Sequence, residues 1–462
     1  MSKPKVFVRE ATGLVKSVSP WTLFFAMLGE IGFGTGLLLI NVANSFFSDG
    51  NPGGNAVDAT LLLMFFVIFE SFIFYHVVRS VGRTGGDYVW MSRNIGPVLG
   101  GALVLGFVFT GLPFLAVSAN WFVTFSLAPS LSTIAAVTGN SGLTSFSAMM
   151  TTPTALIALG LFLIAAVTAV DIISPRSGFH LLAALTIIPL IGTLIMAGVF
   201  LSLGPSGIQS AVSNFLSQNG DSYTQIASQY TGPGASLSGV LLLIPFLFFT
   251  LPWVNNAAAF SGEIKNLKKS AWIGTILPGV FSGVMLAGFI ALFNWGLGFN
   301  FAMQAPISWP GALYGMGVVP NMLTIATIAI RDNVALMWVM NLTFAVWYLA
   351  SLQQTILSVS RYILGMSFDR LIPVQLAHVS DRFHSPTSAL LLSFIVAVPM
   401  VFIVSLTNWT SLYTTTALGS VFFAFIGITA IIYGWRKKKE LGGTGPALIV
   451  CGLLVAPFFL YV

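Results

Sequence analysis

The sequence predicts an all-α polytopic membrane protein, and three observations predict it. Of the 462 residues 56% are apolar and only 7% are charged, against roughly a quarter charged in a soluble protein. Apolar runs long enough to cross a bilayer, roughly 17 to 25 residues, recur along the whole chain. The basic residues fall in alternate connecting segments. With a mean hydropathy of +0.92 there is too little polar surface to clothe a water-soluble globule, which excludes a soluble enzyme. A barrel is disfavoured because barrel strands alternate every second residue, whereas these runs are unbroken. The single cysteine, Cys451, excludes an intramolecular disulfide, a Cys-rich zinc site and an iron–sulfur cluster, and no cofactor is expected.

Taken in order, the runs lie near 20–45, 59–80, 98–127, 152–171, 179–203, 237–261, 271–296, 333–362, 386–405, 410–434 and 446–462. They make one transmembrane domain, 1–462, of about 11 spans. The first run is too long for a signal peptide and lacks an Ala-x-Ala-like end. The last is short and contains Pro457, so either the chain stops at Val462 or a twelfth span follows. The Ser/Gly/Gln-rich stretch 204–236 reads as an external loop. Within the longer loop 297–332, Met322 to Ile330 reads as a short helix over the outer vestibule.

Lys and Arg resist translocation, so their placement sets orientation. With a cytoplasmic N-terminus, Lys3, Lys5, Arg9, Lys16, Arg79, Arg83, Arg93, Arg176, Lys265, Lys268, Lys269, Arg361, Arg370, Arg382, Arg436, Lys437, Lys438 and Lys439 all fall inside. Only Arg331 is left outside. The net charge of +6 is thus a topology signal at a plasma-membrane surface, and no nucleic-acid partner is inferred from it.

Two spans are chemically wrong for simple crossing. The first reads Gly29-Glu30-Ile31-Gly32-Phe33-Gly34-Thr35-Gly36, and glycine at that density favours unwinding. The sixth carries Pro245 and Pro252, which remove helical donors, followed by Asn255 and Asn256 where lipid tolerates neither. Taken singly, the glycines also suit close helix packing and the prolines an ordinary kink. Together they are the first and sixth spans, which is the arrangement of five-plus-five inverted-repeat transporters with discontinuous first and sixth helices. The repeats would be 20–203 and 237–434, with 446–462 additional. An odd number of spans per repeat inserts the second upside down, in agreement with the charges. The repeat is read from positions, since the halves show no letter-by-letter similarity.

Three further motifs carry a family resemblance. Arg83-Thr84-Gly85-Gly86-Asp87-Tyr88-Val89-Trp90, followed by Asn94-Ile95-Gly96-Pro97-Val98-Leu99-Gly100, resembles the junction after the second span of the amino acid–polyamine–organocation (APC) superfamily. Ser261-Gly262-Glu263-Ile264-Lys265-Asn266 resembles its motif after the sixth span. Ser360-Arg361-Tyr362 with Phe368-Asp369-Arg370-Leu371-Ile372-Pro373 resembles its motif after the eighth. The series covers residues 1 to about 435. It implies an amino acid permease working by alternating access, with Gly32, Phe33, Gly34, Thr35 and Gly36 matching the glycine motif whose amides hold the substrate carboxylate. A half-helix N-terminus independently suits an anion. Phe249, Thr250 and Leu251 fall at the matching sixth-span break, whose carbonyls would receive the ammonium. An aromatic there would close over the substrate, and Trp253 is a second candidate, with a core- or lipid-facing tryptophan as the alternative.

The chain also departs from the family. Some proton-coupled members carry a fifth-span lysine, and Leu185 to Pro189 contains none; a sixth-span glutamate used by some exchangers is Asn255 here. Coupling by those residues is not expected. Acids occur instead at Glu30 and Glu70, and an ionisable group inside a span is functional by default; a neutral, hydrogen-bonded carboxyl is the alternative. Glu30 would also attract a cationic side chain, which leaves an amine or cationic amino acid carrier as a second substrate reading. The polar run Ser351, Gln353, Gln354, Thr355 and Ser358 offers ion or polar contacts, with Ser351, Gln354 and Thr355 foremost, unless it glues helices together. His76 and Asp171 lie at span ends, where ordinary solvation is the default. The four histidines show no metal-ligand spacing, and no nucleotide-binding loop is present. The expected activity is therefore secondary transport of an amino acid, coupled to H+ or Na+ or by exchange. A membrane-embedded enzyme lacks motif support, and a channel or receptor is the rival of another class.

Overall fold

The computed structural model describes residues 14–30, 34, 36–37, 51–218, 220–308, 321–409 and 416–462, the side chain of Glu30 excepted. Among them ten helices are long and apolar enough to cross a membrane. They are Ala56–Val81, Pro97–Thr138, Pro153–Ile173, Pro175–Gln218, Leu237–Ala259, Leu267–Leu297, Val334–Phe368, Thr387–Leu406, Thr416–Arg436 and Thr444–Tyr461. These fall on the second to eleventh apolar runs. A shorter apolar helix, Pro20–Glu30, occupies the start of the first. The protein is an all-helical polytopic bundle, as its composition requires, because lipid satisfies no backbone group and each crossing segment must close its own hydrogen bonds.

Helix ends follow local chemistry. Asn55 accepts hydrogen bonds from the amides of Val57 and Asp58 to start the second span, Thr152 accepts from Ala155 to start the fourth, and Asn333 accepts from Leu336 to start the eighth. Gly82, at φ 57°, ends the second span in the left-handed conformation that a side chain resists. The third span is longer than its apolar run suggests, because a π turn at Phe122–Leu127 carries it on to Thr138.

The stretch 204–236 is not a plain loop. Gly204 (φ 61°) kinks the chain, and the helix resumes to Gln218. Ile208, Val212, Phe215 and Leu216 recur at helical spacing and are buried, so a polar composition conceals an amphipathic helix. Met322–Ala329 is helical, and Met322 to Ile328 are all buried.

Close packing positions the last two spans. A methyl group placed on Gly452 would lie 2.3 Å from the Gly427 carbonyl oxygen, and one on Gly434 would lie 2.7 Å from that of Gly445. Both pairs repeat every seven residues, so the two antiparallel helices touch backbone to backbone. At the end of the bundle that carries the basic residues, Arg83 pairs with Asp369 at 3.0 Å. There too, Arg436 donates to the carbonyl of Asn94 at 2.9 Å. The segment before the first helix is held at the same end by a parallel bridge between Val18 and Ile264.

Candidate functional site

The sixth span is where the backbone departs from a continuous α-helix. The helix beginning at Leu237 ends at Phe248; Trp253–Asn255 forms a single 3-10 turn, and Asn256–Ala259 a short helix after it. Pro252 explains the interruption, since it lacks the N–H that would close on the Phe248 carbonyl. The Trp253 indole donates at 3.0 Å to the Phe249 carbonyl and so replaces part of what the backbone loses.

Beside this interruption lies a cavity of about 570 Å³ of atom-free space, part of it open, between the third, sixth and eighth spans. Phe107, Thr110, Gly111 and Phe114 come from the third span, Phe249 and Trp253 from the sixth, and Ser351, Thr355, Ser358 and Val359 from the eighth. Ser351, Thr355 and Ser358 are spaced by four and three residues and therefore share one helix face.

Aromatic rings bound the cavity in two layers. Phe249 stands edge-on to Phe114 and Trp121, with ring centroids 5.9 and 5.5 Å away. Toward the basic end, Phe107 meets Trp253 at 6.0 Å and Tyr362 at 5.5 Å. The lining has hydroxyl-bearing side chains along the eighth-span wall and at Thr110 of the third span, with aromatic rings around them, which suits a small amphipathic molecule.

The sequence-selected residues divide into groups. Phe249, Trp253, Ser351 and Thr355 line the cavity. Thr250 is buried beside the first span, where a methyl group on Gly36 would lie 3.0 Å from its Cγ2. A methyl group on Gly34 would lie 2.1 Å from the Trp347 ring. Leu251 is wholly buried in the core. Gln354 is also fully buried, away from the cavity lining, and among the described residues neither atom of its amide has a hydrogen-bond partner. Asn255 is fully buried and donates to the Tyr362 hydroxyl at 3.1 Å. Glu70 is fully buried and, among the described residues, neither carboxyl oxygen has a hydrogen-bond partner. Gly32, Phe33, Thr35 and the Glu30 side chain lie outside the described residues.

One expectation is corrected. Asp171, read as an ordinary solvated span end, is completely buried and accepts at 2.7 Å from Gln353 Nε2, which also donates to the Gly178 carbonyl. The fifth-span helix begins at Pro175 and folds back over Asp171, closing it from water. Its second oxygen has no hydrogen-bond partner among the described residues. His76 is half-buried, its ring 5.4 Å from that of Tyr433.

Other polar groups acquire meaning only in three dimensions. Arg361 is fully buried; its Nε and Nη2 donate to the two oxygens of Glu263 at 2.9 and 3.1 Å, the two-pronged geometry that makes such pairs strong. Asp87, between the second and third spans, is also fully buried and accepts at 2.6 Å from the Tyr362 hydroxyl. Burial pushes the Asp87 carboxyl up from near 3.8 to about 7, against the lowering effect of hydrogen bonds from Tyr362, the Tyr88 backbone and Asn255.

With this geometry in hand, the comparison with known proteins is decisive on family. A family model described as amino acid permease matches residues 18–462. The chain belongs to the amino acid permease family. No curated protein matches it. Among solved structures, the permease is similar to the crystal structure of MhsT in complex with L-phenylalanine, with a TM-score of 0.61 and 14% identity over 97% of this chain and 99% of that one. At that identity the likeness is one of fold. The third-span lining of this permease, Phe107, Thr110, Gly111 and Phe114, escaped sequence reading because it sits in a uniformly apolar run. The one available signal was Thr110 beside Gly111, a polar and a small residue together at mid-span.

Proposed function

We propose that this permease is a secondary active transporter that carries an amino acid across the plasma membrane by alternating access, with its N-terminus cytoplasmic, driven by an ion gradient or by exchange. The observation that carries the reading is the cavity between the third, sixth and eighth spans, with the interrupted helix of the sixth as one wall. In this reading the two repeats, 20–203 and 237–434, move against each other around that cavity. Amides of the first-span glycine motif hold the substrate carboxylate, and carbonyls at the sixth-span break hold the ammonium. A methyl group on Gly36 would lie 3.0 Å from Thr250 Cγ2, which supports placing the glycine motif beside the sixth-span break. The rings of Phe107, Phe114 and Trp253 then receive an apolar side chain. That MhsT was solved with L-phenylalanine adds weight to an aromatic or large aliphatic substrate.

The test is a thermal-stability screen of the purified permease with each amino acid, with polyamines as comparators, at two pH values with and without sodium. Binding to the folded state alone stabilises it by about 2.7 kcal/mol at a hundredfold excess over Kd. An apolar amino acid should stabilise the protein and drive counterflow in proteoliposomes. Stabilisation only by amines without a carboxylate would move the anchoring charge to Glu30, and binding without counterflow would mean a receptor.

A further inference from the structure

Asp87 lies outside the substrate cavity, and the transport reading uses it for nothing. Its Oδ1 accepts from the Tyr88 backbone N–H at 3.0 Å and its Oδ2 from the Tyr362 hydroxyl at 2.6 Å. The Tyr362 oxygen in turn accepts from Asn255 Nδ2 at 3.1 Å. One chain of hydrogen bonds thus joins the junction after the second span to the eighth span and to the sixth.

Among the described residues, the bases around this junction are engaged elsewhere. Arg361 faces Glu263, Arg83 faces Asp369, Arg436 the Asn94 carbonyl and Arg79 the Tyr75 hydroxyl. Arg93, Arg370, Lys265, Lys268 and Lys269 are exposed. Of the other titratable groups on the packed elements, the His76 ring lies against Tyr433, and Glu70 is buried on the second span without a hydrogen-bond partner. The Asp87 carboxylate is therefore held by neutral donors alone, and burial disfavours its charged form.

The chain has two polarities. As it stands, both donors point toward Asp87, and Asn255 Oδ1 is buried with no hydrogen-bond partner among the described residues. A proton added at Asp87 Oδ2 reverses the chain. The carboxyl O–H donates to the Tyr362 oxygen, the Tyr362 O–H turns to Asn255 Oδ1, and the amide rotates to receive it. Each polarity leaves one atom of the Asn255 amide unpartnered, so the proton decides which. Asn255 closes the 3-10 turn that begins at Trp253, and the Tyr362 ring packs on Phe107. Both contacts lead to the cavity. The Gly85 amide donates to the Ala259 carbonyl at 2.9 Å, which ties this junction to the sixth span, and Asp87 is fully buried beside it.

We propose that Asp87 is a proton-binding site that couples substrate movement to the proton gradient, with Tyr362 and Asn255 as positioning residues that relay its protonation state to the sixth-span break. This rests on the transport reading above. The experiment has two arms. In the first, purified wild type and the variants Asp87→Asn, Asp87→Glu, Tyr362→Phe and Glu70→Gln are titrated without substrate, by proton uptake between acid and alkaline pH. Asp87→Asn should lose one group titrating near neutrality, Asp87→Glu should retain it, and Tyr362→Phe should move it to higher pH, because a donor to the carboxylate is gone.

In the second arm, proteoliposomes take up L-phenylalanine, L-alanine or L-arginine with an inward proton gradient and, separately, by counterflow. In Asp87→Asn the ratio of gradient-driven uptake to counterflow should collapse to its value without a gradient, while Asp87→Glu retains the dependence. Gradient dependence that survives Asp87→Asn, or that is lost only in Glu70→Gln, overturns the proposal, as does a wild type indifferent to the gradient. If no probe moves but the neutral titration vanishes in Asp87→Asn, the proton site stands and the amino acid reading has failed.

Discussion

Asp87 has no opposing charge among the described residues, and that has a stability consequence separate from transport. Its folded carboxyl binds a proton more tightly than the unfolded one, since burial raises it from near 3.8 to about 7. The folded state therefore holds the extra proton between those values, and the stability due to this residue falls as pH rises from about 4 to 7 and is level above. At roughly 1.36 kcal/mol per pH unit the loss is about 4 kcal/mol. Melting curves of wild type and Asp87→Asn should differ in slope across that window, with the variant the flatter; parallel curves would mean that water reaches the carboxyl. Legibility at this scale was uneven. Asp87, Glu263 and Arg361 were visible as letters of family motifs, but nothing in one dimension says that Arg361 meets Glu263 or that Tyr362 meets Asp87, because the partners lie 98 and 275 residues apart.

At the scale of the element, the sixth span is the case in which the letters predict the backbone. Pro252 removes a donor wherever it stands, so the loss of helical hydrogen bonding after Phe248 follows from covalent structure. The first span shows a second use of glycine. A methyl group on Gly34 would lie 2.1 Å from the Trp347 ring, whereas one on Gly36 would lie 3.0 Å from the Thr250 methyl. Gly34→Ala should destabilise the protein by about 1–3 kcal/mol, the range for overpacking a filled core, and Gly36→Ala by less, measured as the shift in melting temperature at fixed detergent. The reverse order would mean that Trp347 moves aside freely. The helical stretch 205–218 was hidden by its own composition. Its serines and two glutamines suggest a loop, and only the spacing of Ile208, Val212 and Phe215 marks the buried face.

At the basic end of the bundle the segment before the first helix is tied to the segment after the sixth span, and through Glu263 to the eighth. Val18 bridges Ile264, and the amides of Ser17 and Val18 both donate to the Glu263 carbonyl. Glu263 in turn is held by Arg361, and Asp369 by Arg83. In the proposed alternating-access reading, opening at this end requires the Val18 contact to part. In a background without Cys451, joining Val18→Cys to Ile264→Cys with a short bifunctional reagent should block counterflow while leaving substrate-induced thermal stabilisation intact. Counterflow that survives cross-linking would show that this end stays closed during transport.

What the sequence determined by itself was the all-helical membrane fold and the family. Both are properties of composition, run length and short motifs, which a linear reading contains in full. Water's exclusion of apolar surface and the bilayer's exclusion of unpaired backbone leave a chain with this composition no other fold class. Only the tertiary structure decided which mid-membrane residues face one another. It set Phe107 and Phe114 of the third span against Phe249 and Trp253 of the sixth, and it buried Asp171 and Asp87 instead of leaving them in water. The reason is that a uniformly apolar helix carries almost no amphipathic signal. Which of its faces meets the cavity is then fixed by close packing against neighbours distant in the chain.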